Sequence, residues 1–474
     1  MNIQSAKNLI KIEVVPMLSL ALPIVVANIG NVAIGETDKI MIRGLGVDAI
    51  DAAGFATSLF FLIAVLGIGT LSVLAPQVAA SKGMNDSLTI SKLLYAGLRL
   101  GWLIGIVLAG LIFGLVLMLD VFHQSSEVTQ KSQIFLTIIG ISIIPMMIFL
   151  SLKYFADGLS FTRVDMYITV GAFFFNILLN WLLINGNLGF PALGLIGSAL
   201  ATLISRTAMA IAVYIYVFKD KHFAAYRSEI DMNLIRPYLV KILKQGFPAG
   251  LQIFFEAGAF TFAVIMAGWI SKFDQAAHII AIGWASFTFM MMAGIASAGA
   301  IRVGQSRGAN DRSAIRRSGT VALIIVILCM SLFCILFLTI PEPLVSLYIN
   351  TDLSHDAQKV IPIAITLLII AGFFQLSDGI QVVSLAILRG LGDIKIPTFI
   401  TLLAYWIIGL PLGYFLGFKL NLGVKGIWYG LTAGLTVSAI LLTTRFYNLA
   451  GKIKLRKIKF TKSKKSDLKE INSL

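Results

Sequence analysis

Residues 250–269 read GLQIFFEAGAFTFAVIMAGW, twenty residues that carry one charge, Glu256. About 20 consecutive apolar residues span the hydrocarbon core of a bilayer as an α-helix. The run is too long for a strand and shows no apolar/polar alternation. It is therefore read as a membrane-crossing helix with a carboxylate near mid-depth. A second run, IAGFFQLSDGIQVVSLAIL at 370–388, places Asp378 in the same way. A third acid, Asp38, closes a long first apolar segment. Ionised groups in hydrocarbon are costly, and membrane helices that keep them use them on ion, proton or cationic-substrate pathways.

The rest of the chain has the same character. Of its 474 residues 58% are hydrophobic and 13% charged, and the mean hydropathy is +0.90. A soluble protein of this length needs far more surface charge. Twelve segments qualify as spans: 14–42, 52–80, 93–119, 133–156, 166–186, 193–218, 237–270, 276–301, 318–340, 360–388, 396–417 and 424–447. The expected fold is thus an all-α integral membrane protein with almost nothing left over for a soluble domain.

The net charge of +15 suggests nucleic acid until its placement is considered. With both termini on one side, 29 of the 38 Lys and Arg residues fall on that side and seven on the other, Arg99 and Arg206 lying within segments. This asymmetry puts both termini in the cytoplasm of a bacterial-type inner membrane, with no nucleic-acid partner. The tail KIKLRKIKFTKSKK (452–465) is a topogenic element that can also meet anionic lipid headgroups. The first segment is too long for a cleaved signal peptide. Cys329 and Cys334 share one apolar segment and imply neither a disulfide framework nor a metal site. Arg206 is expected to extend its side chain toward the cytoplasmic side.

The chain also repeats itself. At an offset of 225, Pro23 falls on Pro248, Gly69 on Gly294, Ser81 on Ser306, and Gly83, Asn85 and Asp86 on Gly308, Asn310 and Asp311. Near an offset of 229, Gly194 and Gly197 fall on Gly423 and Gly426. Six spans per half is an even number, so the halves enter from the same side, as parallel repeats related by a pseudo-two-fold axis along the membrane normal. The expected division is a six-helix lobe over 1–218, a polar connector over 219–244, a second six-helix lobe over 245–450 and a basic tail over 451–474.

Four blocks carry a family resemblance: LALPIVVANIGNVAIGETDKIMIRGLG (20–46), FPAGLQIFFEAG (247–258), AAHIIAIGWASFTFMMMAGIASAGAIRVGQSRGAND (276–311) and FFQLSDGIQVVSLAILRGLGDIKIPTFITLLAYWIIGLPLGY (373–414). Taken in order, with the internal repeat, the chain resembles the multidrug and toxic compound extrusion (MATE) transporters of the NorM type. The resemblance implies a V-shaped two-lobed bundle that exports cationic or amphiphilic drugs in antiport with sodium ions or protons, without a cofactor. It maps the family's membrane acids onto Asp38, Glu256 and Asp378, and its first-lobe polar pair onto Asn176 and Asn180. Glu36 and Lys39 beside Asp38 depart from the family pattern; they either pair with each other or alter the affinity of that lobe.

On the residues themselves, Glu256 and Asp378 are expected to share one cation site in the second lobe, where carboxylate oxygens suit a hard cation such as sodium. A site that holds a proton, a sodium ion or an organic cation, but one at a time, is the simplest form of antiport. Asn176 and Asn180 stand four apart on one helical face; they either offer amide oxygens to a cation or bond between helices. Pro23 and Pro248 each remove a helix hydrogen bond, so bending there can open or close a cavity. No nucleophile–base cluster points to an enzyme and no GxxxxGK[ST] loop to a nucleotide-driven pump. A flippase for lipid-linked sugars needs a basic cavity, and this chain has several buried acids and few buried bases. A monomer is expected.

Overall fold

The computed structural model describes residues 10–228, 231–349 and 355–452. Within them lie twelve helices long and apolar enough to cross a membrane, and no strand. They are α1 (Ile10–Leu45), α2 (Val47–Gly83), α3 (Ser87–Val116), α4 (Ser126–Gly158), α5 (Thr162–Asn185), α6 (Leu195–Lys219), α7 (Met232–Ile270), α8 (Lys272–Gly308), α9 (Arg312–Thr339), α10 (Ala357–Gly390), α11 (Lys395–Lys419) and α12 (Val424–Lys452). Each expected segment is found, with ends shifted by several residues. The stretch read as a connector, 219–244, is helical from Met232 onward. The polar link between the halves is therefore shorter than its composition suggested, and α7 carries its basic first turns out of the apolar layer.

The connections explain the breaks. Asp86 caps α3 by accepting from the Thr89 amide at 2.9 Å, and Asp311 caps α9 by accepting from the Ala314 amide at 3.0 Å. Such caps satisfy helix-end donors that otherwise lack partners. The Thr89 hydrogen bonds hold the Asp86 carboxyl below its usual range. The residues before these caps, Asn85 and Asn310, adopt φ of 54° and 59°, a left-handed conformation that Asn tolerates better than most side chains. The two turns are thus repeats of each other in sequence and in backbone.

The halves also pack by the same rule. Within the first, α2 packs on α4, α3 on α4, α4 on α6 and α1 on α5; within the second, α8 packs on α10, α9 on α10, α10 on α12 and α7 on α11. Between them α1 crosses onto α8, α7 onto α2, and α2 meets α8. A Cβ at Gly69 would lie 2.6 Å from the Cα of Gly250, and one at Gly294 would strike Val25, the repeat equivalent of Gly250. Likewise a Cβ at Gly83 would strike the Gln305 carbonyl, and one at Gly308 the carbonyl of its equivalent, Ala80. Small residues let membrane helices approach this closely, and the paired contacts trace the pseudo-two-fold between the halves. Pro23 lies inside α1; Pro237 and Pro248 lie inside α7.

Candidate functional site

The two halves hold separate polar sites. In the first, Asp38 on α1 is half-buried. Its Oδ1 accepts from Asn180 Nδ2 at 2.6 Å and its Oδ2 from Thr202 Oγ1 at 2.9 Å. Asn180 Nδ2 also donates to the carbonyl and to Oδ1 of Asn176, both at 3.1 Å. Asn176 and Asn180 are fully buried on α5, and each keeps one amide atom, Nδ2 and Oδ1 respectively, without a partner. Three helices, α1, α5 and α6, therefore converge on one carboxylate. Glu36 and Lys39 pair with each other at 2.7 Å on the exposed side of α1, which leaves Asp38 to its neutral donors.

Arg206 does not extend toward the basic face as its length suggested. It stays inside the first half, donates to Ser142 Oγ at 2.7 Å and lies 4.6 Å from the Phe60 ring centroid. Those contacts hold the guanidinium where its field reaches Asp38 without an ion pair between them.

In the second half, Glu256 on α7 is half-buried. Its Oε1 accepts from the Tyr405 hydroxyl at 2.9 Å and its Oε2 from Gln252 Nε2 at 3.1 Å. Asp378 on α10 is 4% exposed and has no hydrogen bond or ion pair among the described residues. The Phe260 and Phe374 rings touch, 6.1 Å between centroids. Glu256 lies four residues before Phe260 and Asp378 four after Phe374, and the helices run antiparallel, so both acids fall one turn deeper on the facing stripes. The charge of Glu256 reaches Asp378. Tyr405 sits in a π-helical stretch, Ala404–Gly409, a local widening that recurs at functional sites.

Thr202, Gln252 and Tyr405 were not singled out in the sequence. Gln252 carried a signal, because it stands one turn before Glu256; Tyr405 carried only its position as one of two phenols in an apolar run. Three further acids stand just beyond the ends of the expected segments. Glu13, Asp157 and Asp165 are all buried. Glu13 meets Arg302 at 2.9 Å and Arg317 at 2.7 Å. Lys153 is itself buried and joins Asp157 at 2.9 Å and Asp165 at 2.7 Å. These three acids are paired with fixed cations, whereas no ion pair holds Asp38, Glu256 or Asp378 among the described residues. Cys329 and Cys334 are free thiols.

Twelve apolar helices in two equivalent halves, each with an unpaired carboxylate among neutral donors, define a polytopic membrane protein with the build of a transporter. The MatE family model matches the chain twice, at residues 23–182 and 248–415, the second match starting at the repeat equivalent of the first. The chain belongs to the MatE family. It is 32% identical to a probable multidrug resistance protein NorM of Rhizobium meliloti, over 92% of this chain and 93% of that one. It is 31% identical to the multidrug resistance protein NorM of Aliivibrio fischeri, over 91% and 94%. Among solved structures, the eukaryotic MATE transporter AtDTX14 superposes with a TM-score of 0.82 at 19% identity, covering 92% of this chain and 97% of that one. A MATE protein in a bent conformation gives 0.82 at 17% identity, covering 92% and 95%.

Proposed function

We propose that this protein is a secondary antiporter that exports cationic or amphiphilic drugs in exchange for sodium ions or protons. The names of its NorM relatives support the cargo class. The observation that carries the coupling is the pair Glu256 and Asp378. Glu256 is met by a hydroxyl and an amide, Asp378 stands at the same level on the helix whose Phe374 ring touches Phe260, and among the described residues neither acid is ion-paired to Lys or Arg. Two like charges in low dielectric cannot both stay ionised without a positive partner, so the pair takes up one cation or proton at a time. Sodium, a proton and an organic cation then exclude one another, and whichever binds releases the last.

In the first half, Asp38 with Asn176, Asn180 and Thr202 offers oxygen ligands of the kind hard cations take, and serves as a second cation or substrate site. Pro23 and Pro248 supply the points at which α1 and α7 bend between states. The basic bias of one face supports cytoplasmic termini in a bacterial inner membrane. The protein works as a monomer amid lipid, with no cofactor. A membrane potential of ~100 mV supplies about 2.3 kcal/mol per charge moved, more than tenfold in concentration at ~1.4 kcal/mol per decade.

Purified protein in vesicles, with sodium and proton gradients imposed separately and no ATP present, tests this reading. Efflux of a cationic dye that follows either gradient is expected. Efflux that needs ATP and ignores both gradients overturns it.

A further inference from the structure

Arg389 on α10 does not touch Glu256. It donates from Nη2 to the Gln252 side-chain carbonyl at 2.5 Å, and the other end of that amide donates to Glu256 Oε2 at 3.1 Å. Gln252 is 5% exposed, so water does not compete freely for either end. A guanidinium carries N–H donors and no acceptor. It therefore forces the Gln252 oxygen to face it, and the planar amide must turn its NH2 group toward Glu256. Without Arg389 only the carboxylate's own demand for a donor would hold the amide this way round, and turning over would set an oxygen against an oxygen. The Tyr405 hydroxyl closes the other side at 2.9 Å.

The relay does two things at once. It gives Glu256 a fixed donor, which orients the carboxylate. It also keeps the fixed positive charge one amide away. A direct Arg389–Glu256 ion pair would occupy the carboxylate permanently, as Arg302 and Arg317 occupy Glu13. The field of Arg389 still reaches Glu256, so it tunes the site without filling it.

From this geometry, and resting on the antiport reading above, we propose that Arg389 is a positioning residue: acting through Gln252, it fixes the donor face seen by Glu256 and so sets the affinity of the second-half site for the coupling cation. Arg389→Gln lets the Gln252 amide turn over. Gln252→Met removes the donor while keeping the side-chain length.

The test is vesicle efflux against a titrated sodium or proton gradient, with half-saturation and maximal rate measured separately. Each single variant is expected to shift half-saturation about tenfold, the worth of one hydrogen bond to a charged group, with little change in maximal rate. Because both changes break one chain, the double variant is expected to match Gln252→Met alone rather than add to it, and Arg389→Lys, which keeps a donor-only cation, is expected to recover much of the wild-type value. A merely structural role predicts a lower maximal rate and protein yield at constant half-saturation, and additive effects in the double variant; either result overturns the proposal. Gln252→Met stands as an independent probe if Arg389→Gln does not accumulate. Glu256→Gln is run beside them. If it still exports, the use of Glu256 in coupling fails; if it is inactive while both relay variants keep wild-type half-saturation, the relay alone fails.

Discussion

The two halves of the molecule share a fold and an ancestry but not a site. In the first, one carboxylate, Asp38, is half-buried and met by two neutral donors, with Arg206 close enough to be felt. In the second, Glu256 is met by Tyr405 and Gln252, and its charge reaches Asp378, which is 4% exposed and without a hydrogen bond or ion pair among the described residues. A single partly solvated acid can stay charged and still be stable, because water and donors serve it. Two acids close enough to sense each other, one of them almost wholly buried, compete for any positive charge that arrives. On the proposed antiport reading the pseudo-two-fold supplies two places to bind a cation, and the local side chains make the second the one whose occupancy should matter most.

The largest effect is expected at Glu256. Glu256→Gln keeps shape and a hydrogen-bonding oxygen but removes the charge that a coupling cation must neutralise. Dye efflux should fall to the rate of vesicles without protein, while yield in the membrane stays at the wild-type level. Substantial gradient-driven efflux would mean that the first half carries coupling alone, and the comparison would invert.

Next in size is a change that should damage stability rather than coupling. Lys153→Met strands Asp157 and Asp165 without their shared cation. Breaking a buried ion pair from one side costs about 3–5 kcal/mol, to be read as a lower unfolding temperature in detergent. Protein that survives should keep its half-saturation for the coupling cation. A shifted half-saturation at unchanged stability would place the Lys153 cluster on the transport path and blur the distinction between paired and unpaired acids. Asp378→Asn ranks below these. The amide removes the competing charge and keeps one oxygen ligand, so half-saturation should rise about tenfold, one pK unit's worth of charge interaction.

Much of this was open to sequence reading, for definite physical reasons. Hydrocarbon imposes a length and a composition on every span, so the twelve helices could be counted. Repeat equivalents such as Gly83 and Gly308, or Asp86 and Asp311, announced the two halves. Glu256 and Asp378 were visible because a lone acid in an apolar run is conspicuous. The partners were not. Tyr405 reaches Glu256 from 149 residues away and Arg389 reaches Gln252 from 137, and no local spacing encodes those meetings. Asp157 and Asp165 were passed over because they stand near segment ends, where charge looks solvated. Lys153 and Asp157 are four apart, the spacing of a helical ion pair, and that signal was there to be read.

The smallest effect sharpens the comparison most. Thr202→Val keeps volume and branching but deletes the donor to Asp38 Oδ2 at 2.9 Å. Asn180 still holds Oδ1, and the half-buried carboxylate can draw water in Thr202's place. The loss should therefore be small, about two- to threefold in half-saturation, below the ~1.5 kcal/mol that a dry hydrogen bond to a charged group contributes. The matched change in the other half is Tyr405→Phe, which deletes the donor to Glu256 Oε1 at 2.9 Å. Tyr405 is 1% exposed, so water replaces its hydroxyl poorly, and the shift there should be several times larger. Measured side by side, the ratio of the two shifts reports how dry each site is during turnover. Equal shifts would show that both carboxylates are wetted alike in the working protein, and the assignment of coupling chiefly to the second half would lose its physical basis.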